Sequence, residues 1–346
     1  MINKAGKHMK SLKEREWFFS QEKIPFACTN PDPHYDIYTL GSTGQIISEI
    51  TVDSGLGLDA PFTIGAIADL HFNVCNNDDR ADEELSYTEK CRIWPEKLKW
   101  FAPAVKALDA CEYCDAAVII GDVLDYMSSG ARDVVKREII SKHPDFMMAV
   151  GGHDYTKQMQ TKIPDQLPLE ERLDFIRAFW PNDIHYYSRP LGDKIVAVLL
   201  DNSQSKYLEC QVDKLAADIA RAREDGKIIL VFQHEPMSSN NPSETCVKAV
   251  IANSGALSEV AIGTNPTIVG AHLRSEGATP EVYDLITKNA DVVKAVFAGH
   301  WHSQFYSEIV ASYKIEGEIV NTYIPQYVIS GNPYYQSGII NRITVK

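Results

Sequence analysis

The sequence predicts an α/β fold whose strands are covered on both faces. Three observations carry this reading. Six apolar runs (FTIGAIA from residue 62, AAVIIG from 116, FMMAVGG from 146, KIVAVLL from 194, KIILVFQ from 227 and VVKAVFAG from 292) are continuous rather than alternating, as strands with packing on both sides require. Helical patterns lie between them, at about 94–110, 131–142, 169–180, 208–224 and 279–290. Strands that alternate with helices build a layered sheet. A chain of 346 residues with 45% apolar composition can bury one large α/β core or two smaller ones.

Taken in order, residues 9–20 have the pattern of a short amphipathic helix, and 25–36 form a turn-rich connection with three prolines. YDIYTL and QIISEITV flank Gly41-Ser42-Thr43-Gly44 and read as a β-hairpin. Residues 1–60 are thus an N-terminal extension with a helix and a hairpin, and residues 61–346 are the main domain. Within that domain, 72–93 and the Ser, Asn, Gly and Thr-rich stretch 238–278 read as loop insertions. At the C-terminal end SQFYSEIV, EIVNTYIPQYVIS and GIINRITV succeed one another without helices. They are expected to extend a sheet in antiparallel fashion.

Composition narrows the function classes. The apolar runs are strand-length, far short of a bilayer span, so no transmembrane helix is expected. The start, MINKAGKHMKSLKEREWFF, is basic and polar and lacks the apolar segment of a secretory signal. Together with seven unevenly spread cysteines, which fit reduced thiols better than a disulfide framework, it points to the cytoplasm. Cys111-Glu112-Tyr113-Cys114 has redox or metal spacing but no second pair, and buried thiols are the expected reading. A formal charge of −13 repels polyanions, which disfavours long nucleic acid as a partner.

The residues at the carboxyl end of each strand are more informative. FTIGAIA ends in Asp69-Leu70-His71, AAVIIG in Gly121-Asp122 with Asp125 three residues on, and FMMAVGG in His153-Asp154. KIILVFQ ends in His234-Glu235 and VVKAVFAG in His300-Trp301-His302. Five of the ten histidines thus stand at strand ends. In α/β sheets those ends converge on one edge, where ligands bind. Any one of these residues is most simply a turn former or a hydrogen-bonded side chain; the set together is not.

Two carboxylates and four imidazoles suffice for two divalent ions, and mixed nitrogen and oxygen donors suit manganese, iron or zinc better than magnesium or calcium. In Asp-x-His and His-x-His the residues two apart point the same way along an extended chain. Two ions about 3.5–4 Å apart can hold a bridging hydroxide for in-line attack on phosphorus. A histidine outside the metal shell can then serve the leaving oxygen.

These residues resemble the motifs of the calcineurin-like metallophosphoesterases, whose order is D-x-H, G-D-x-x-D, G-N-H-[DE], an isolated H and G-H-x-H. The corresponding blocks are Asp69-Leu70-His71, Gly121-Asp122-Val123-Leu124-Asp125, Gly151-Gly152-His153-Asp154, His234 and Gly299-His300-Trp301-His302. The resemblance implies a two-sheet β-sandwich flanked by helices. It implies one metal held by Asp69, His71, Asp122 and His302, and a second held by Asp122, His234 and His300. It also implies that His153 is the catalytic histidine and Asp154 its orienting partner.

One position departs, for Gly152 stands where the family has an asparagine whose oxygen binds the second metal. A weakened second site, a donor from the substrate, a shifted chemistry and an engineered change are all open on the sequence alone. Asp201 and Asn202, after KIVAVLL, are candidate replacements.

The expected substrate is a small phosphomonoester or phosphodiester. His272 and Arg274, in the second insertion, are candidate phosphate contacts, whereas Trp301 and Tyr334-Tyr335 are expected to pack. A nucleotide or cyclic-nucleotide phosphodiesterase is the alternative enzyme. A non-catalytic metal-binding scaffold is the alternative of another class, and Gly152 is its support.

Overall fold

The computed structural model describes residues 9–26, 33–83, 85–86, 97–156, 168–204, 206–237, 241–242, 279–300, 304–329 and 338–346. In chain order, β1 (Lys23–Pro25), β2 (Asp36–Leu40), β3 (Gln45–Val52), β4 (Phe62–Ala68), β5 (Ala116–Ile120) and β6 (Met147–Ala149) lie in a first sheet. A second sheet holds β7 (Tyr186–Leu191), β8 (Ile195–Leu200), β9 (Ile228–Gln233), β10 (Asn241–Pro242), β11 (Val293–Ala298), β12 (Phe305–Ile315) and β13 (Glu318–Val328). The last strand, β14 (Ile340–Val345), returns to the first sheet. Strand order is β1-β2-β3-β14-β4-β5-β6 in one sheet and β10-β12-β13-β11-β9-β8-β7 in the other.

The two sheets face each other across a dry core. Ile64, Val118 and Ile120 come from the first, and Leu199, Leu230, Phe232 and Phe297 from the second. Phe232 and Phe297 stack with ring centres 5.1 Å apart. The outer face of the first sheet is covered by helices α3 (Lys97–Cys111), α4 (Ser129–Val135) and α5 (Leu169–Arg177), which come after α1 (Leu12–Phe19) and α2 (Asn77–Ala81) in the chain. The outer face of the second is covered by α6 (Val212–Glu224) and α7 (Thr279–Thr287) through Leu215, Ile219, Val282 and Ile286. This four-layer packing is why β5 and β9 are buried at every position and read as continuous apolar runs. The architecture is the sandwich flanked by helices that the motifs imply.

Three features differ from the sequence expectation. β12 and β13 pair antiparallel, but β14 leaves them and inserts between β3, to which it is parallel, and β4, to which it is antiparallel. Its Ile340, Ile343 and Val345 are all buried, which a central position in a covered sheet explains. β7 has no continuous apolar run and contains Pro190, tolerable because β7 is an edge strand. The helical pattern over 131–142 is α4 continued by a wider π-turn at Lys136–Ile140.

The four cysteines among the described residues, Cys75, Cys111, Cys114 and Cys210, are free thiols. Burial pushes the Cys111 thiol well above its ordinary value and that of Cys114 up to about 12. The Cys111–Cys114 pair is therefore inert packing rather than a redox or metal pair. Among the described residues no helix is long and apolar enough to cross a membrane.

Candidate metal centre

The site is assembled where strands stop. β4 and β5 run parallel with Ala68 opposite Ile120, and the pairing continues past both ends. The amide of Asp69 donates to the Gly121 carbonyl (3.1 Å) and that of His71 to the Asp122 carbonyl (2.9 Å). In the other sheet the Gly299 amide donates to the His234 carbonyl (2.9 Å), which puts the ends of β9 and β11 side by side. Asp69, His71, Asp122 and His300 all have positive φ, between 47° and 73°. Among the described residues the only other non-glycine with positive φ is Glu316, in the turn after β12. Left-handed backbone at four such residues in one place is characteristic of a functional site held by its surroundings.

Side chains from both sheets meet at Asp122. Its Oδ2 lies 3.0 Å from His234 Nε2, 3.7 Å from His71 Nε2 and 4.0 Å from His153 Nε2. Asp69 Oδ1 stands 4.0 Å from both His71 Nε2 and His234 Nε2, and the Asp69 carboxylate accepts from the His300 amide at 3.0 Å. Two groups can each surround an ion, His71–Asp122–His153 and Asp122–His234–His300, and they share Asp122. Asp69, His71, Asp122 and His234 are buried, His153 is half-buried and His300 is exposed, so the cluster opens to solvent on the side of the last two.

The histidines are pre-set for this task. His71 Nδ1 meets Asp125 Oδ1 (3.0 Å), His153 Nδ1 meets the Asp125 carbonyl oxygen (2.9 Å) and His234 Nδ1 meets the Ile120 carbonyl oxygen (3.2 Å). A carbonyl or carboxylate oxygen can only accept, so Nδ1 carries the hydrogen and Nε2 of the neutral ring offers its lone pair to the cluster. Donors at 2.0–2.2 Å from a shared ion stand about 3–4 Å from one another, which matches the spacings around Asp122. His234 Nε2 is buried with the Asp122 and Asp69 carboxylates as its polar neighbours, an atom that a cation can share with them.

Charge arises from this crowding. Burial alone would push the Asp122 carboxyl up, but His234, His153 and His71 overcome it and hold Asp122 well below the usual carboxylate range. Burial would pull the His234 imidazolium down, but Asp122 and Asp69 outweigh it and raise His234 to about 10. In the absence of metal, a proton thus occupies the position between His234 and Asp122.

Asp125 is the functional residue to which the motifs assign no role, although its place three residues after Asp122 is the available signal. One of its oxygens anchors His71, its carbonyl anchors His153, and its other oxygen accepts from Asn73 Nδ2 (2.8 Å). The orienting role expected for Asp154 therefore falls differently. Asp154 Oδ1 accepts from the Leu124 amide (2.8 Å) and Oδ2 from the Gly151 amide (2.7 Å), so it braces the two loops behind the cluster. Burial and then the Asp122 charge push its carboxyl up to about 7, even against those two amides. Replacing Asp125 with alanine is expected to weaken metal binding and kcat/KM by about 10–100-fold, with folding retained; metal titration and steady-state kinetics on the same preparation check this.

The glycines at the strand ends have separate reasons. Gly151 has φ −117°, so it needs no left-handed freedom; instead a Cβ there would collide with the Asp122 carboxylate. Gly121 has φ 65°, and the His234 ring fills the space a Cβ would take. Asp201 and Asn202 do not offer their side chains to the cluster. Asp201 Oδ2 pairs with His185 Nδ1 at 2.8 Å, and Asn202 bonds the Glu235 backbone in both directions. His302, Trp301, His272, Arg274, Tyr334 and Tyr335 lie outside the described residues.

The calcineurin-like phosphoesterase family model matches residues 62–304, well over half of the chain. The chain belongs to the calcineurin-like phosphoesterase family. It is a phosphoric ester hydrolase, and hydrolysis is metal-dependent. Among solved structures, this phosphoesterase is similar to a dimetal phosphatase from Danio rerio, at 15% identity over 79% of this chain and 90% of that one, with a TM-score of 0.43. It is also similar to a purple acid phosphatase from yellow lupin (Lupinus luteus) seeds, at 13% identity, 86% and 49% coverage and a TM-score of 0.45. A calcineurin-like phosphoesterase from Bacillus subtilis matches at 15% identity, 79% and 82% coverage and a TM-score of 0.34. The chain spans about half the length of the lupin enzyme. No curated protein matches it in sequence.

Proposed function

We propose that this phosphoesterase hydrolyses small phosphate esters at a dinuclear centre. Asp69, His71, Asp122 and His302 hold one ion, and Asp122, His234 and His300 hold the other. The observation that carries this is the convergence of three Nε2 atoms on one oxygen of Asp122, with Asp69 Oδ1 4.0 Å from two of them. Imidazole and carboxylate donors favour manganese, iron or zinc. When bound, such ions supply Lewis acidity that makes water nucleophilic at neutral pH and offsets charge on the phosphoryl oxygens during in-line displacement.

The protein's own residues supply the rest. The shared carboxylate of Asp122 keeps the two sites side by side. The Asp125 carbonyl fixes the His153 ring with its Nε2 4.0 Å from Asp122 Oδ2, and in the imidazolium form that nitrogen can give a proton to a leaving oxygen. Half-burial of His153 and exposure of His300 let a phosphate ester approach from that side. The four free thiols support a cytoplasmic setting.

A substrate panel tests this reading. Metal-stripped protein reloaded with manganese, iron or zinc should hydrolyse p-nitrophenyl phosphate or bis-p-nitrophenyl phosphate, and His153→Ala should cut turnover by about 10²–10⁴-fold at unchanged metal content. Turnover of cyclic nucleotides alone would move the assignment to the phosphodiesterase alternative. Absence of turnover with every metal and ester would leave a binding scaffold instead.

A further inference from the structure

Gly152 opens the short 3-10 turn Gly152–Tyr155 and is not among the glycines with positive φ, so its backbone does not require glycine. Among the described residues a Cβ built there would have a single neighbour within 4 Å, the carbonyl oxygen of Ser203 at 3.3 Å. A side-chain oxygen extending from that Cβ would compete for the space the Ser203 oxygen already occupies. An oxygen from another segment thus stands beside the position where residue 152 has no side chain.

That carbonyl is held firmly. Ser203 is buried, its amide donates to Asp201 Oδ1 (3.0 Å), and its hydroxyl donates to the same oxygen. Asp201 is itself fixed by His185 Nδ1 at 2.8 Å. The neighbouring Asn202 donates from Nδ2 to the Glu235 carbonyl (2.7 Å) and accepts from the Glu235 amide (3.0 Å). Glu235 is next to His234 and Gly152 is next to His153, so the loop links two segments that deliver cluster histidines. Among the described residues no donor reaches the Ser203 carbonyl oxygen. A carbonyl oxygen that no protein donor reaches keeps its lone pairs available to water or a cation.

We propose that the backbone carbonyl oxygen of Ser203 is a ligand of the ion held by Asp122, His234 and His300, standing in for the side-chain oxygen that residue 152 lacks. The assignment rests on the dinuclear centre proposed for this phosphoesterase. Backbone carbonyls are ordinary oxygen donors to divalent ions. Glycine at 152 is then a requirement of the site, because a side chain there would displace the oxygen that completes it.

Equilibrium dialysis against Mn²⁺ with elemental analysis of the dialysed protein reads this without any assay of turnover. Wild-type protein should bind two ions, and Gly152→Ala should bind one of them about tenfold or more weakly, since among the described residues its methyl group crowds only the Ser203 oxygen. A crystal structure of the wild-type protein with Mn²⁺ should show that oxygen about 2.0–2.6 Å from an ion, which keeps the test independent of how Gly152→Ala folds. A Ser203 oxygen beyond that reach of both ions, or unchanged affinity in Gly152→Ala, overturns the assignment while leaving a two-ion centre intact. Wild-type protein that binds fewer than two ions would sink the dinuclear reading and this ligand with it.

Discussion

Asp122→Ala is expected to abolish tight binding of both ions and to lower kcat/KM by about 10³-fold or more, about 4 kcal/mol of lost transition-state stabilisation. Other cluster residues serve one group each, whereas Asp122 belongs to both, so its loss is not confined to one ion. The substitution also removes the oxygen that accepts from the His153 amide at 2.9 Å, loosening the turn that carries His153. Asp122→Asn is the sharper variant. It keeps the shape and that acceptor but loses the charge and cannot share two oxygens between cations. Elemental analysis should find both variants depleted of metal, while circular dichroism of Asp122→Asn stays that of the parent. Asp122→Asn protein that retains two ions and parental turnover would remove Asp122 from the bridging role.

The second large effect concerns pH, because a proton and a metal compete for one position. His234 rises from its ordinary 6.5 to about 10 in the metal-free fold. A group whose folded value is raised contributes stability that is fully present below its unfolded value and is lost as pH rises through the folded one. The His234 contribution is therefore complete below about 6.5 and is lost by about 10. Asp122 has the opposite sign: held below its ordinary 3.8, it contributes stability above that value, which is lost as pH falls through the depressed one.

Chelated protein should thus show its highest Tm between these limits and a falling Tm from about pH 6.5 toward 10. Metal affinity should move the other way, rising by up to about tenfold per pH unit as the His234 proton is displaced. Calorimetric metal titrations in buffers of different ionisation enthalpy measure the released proton directly. Metal uptake near pH 7 with no proton release would contradict the protonated His234 of the metal-free cluster.

Much of this is legible without any knowledge of the fold. Each of the six apolar runs forms a strand, and five of them stop within two residues of a polar motif, because a strand buried on both faces is a local pattern of side chains. Asp69, His71, Asp122, His153, His234 and His300 can be named for the same reason: polar residues directly after such runs have one edge of the sheet to occupy. The features that differ depend on contacts across the sequence. The partner of His153 is a carbonyl 28 positions earlier, which no side-chain motif reports. Asp154 turns inward to amides of two loops, and β14 lies between strands from the opposite end of the chain.

By itself, then, the sequence determined which chemical groups the protein has, in what order, and at which ends of which strands. Only the tertiary structure decided how far apart they stand, which nitrogen each ring presents, why Gly151 is glycine, and that the Ser203 carbonyl faces Gly152. The physical reason is that strand formation depends on neighbours a few residues away. Donor geometry depends instead on the register and packing of two sheets, where atoms from residues 69, 122, 153 and 234 meet within a few ångströms.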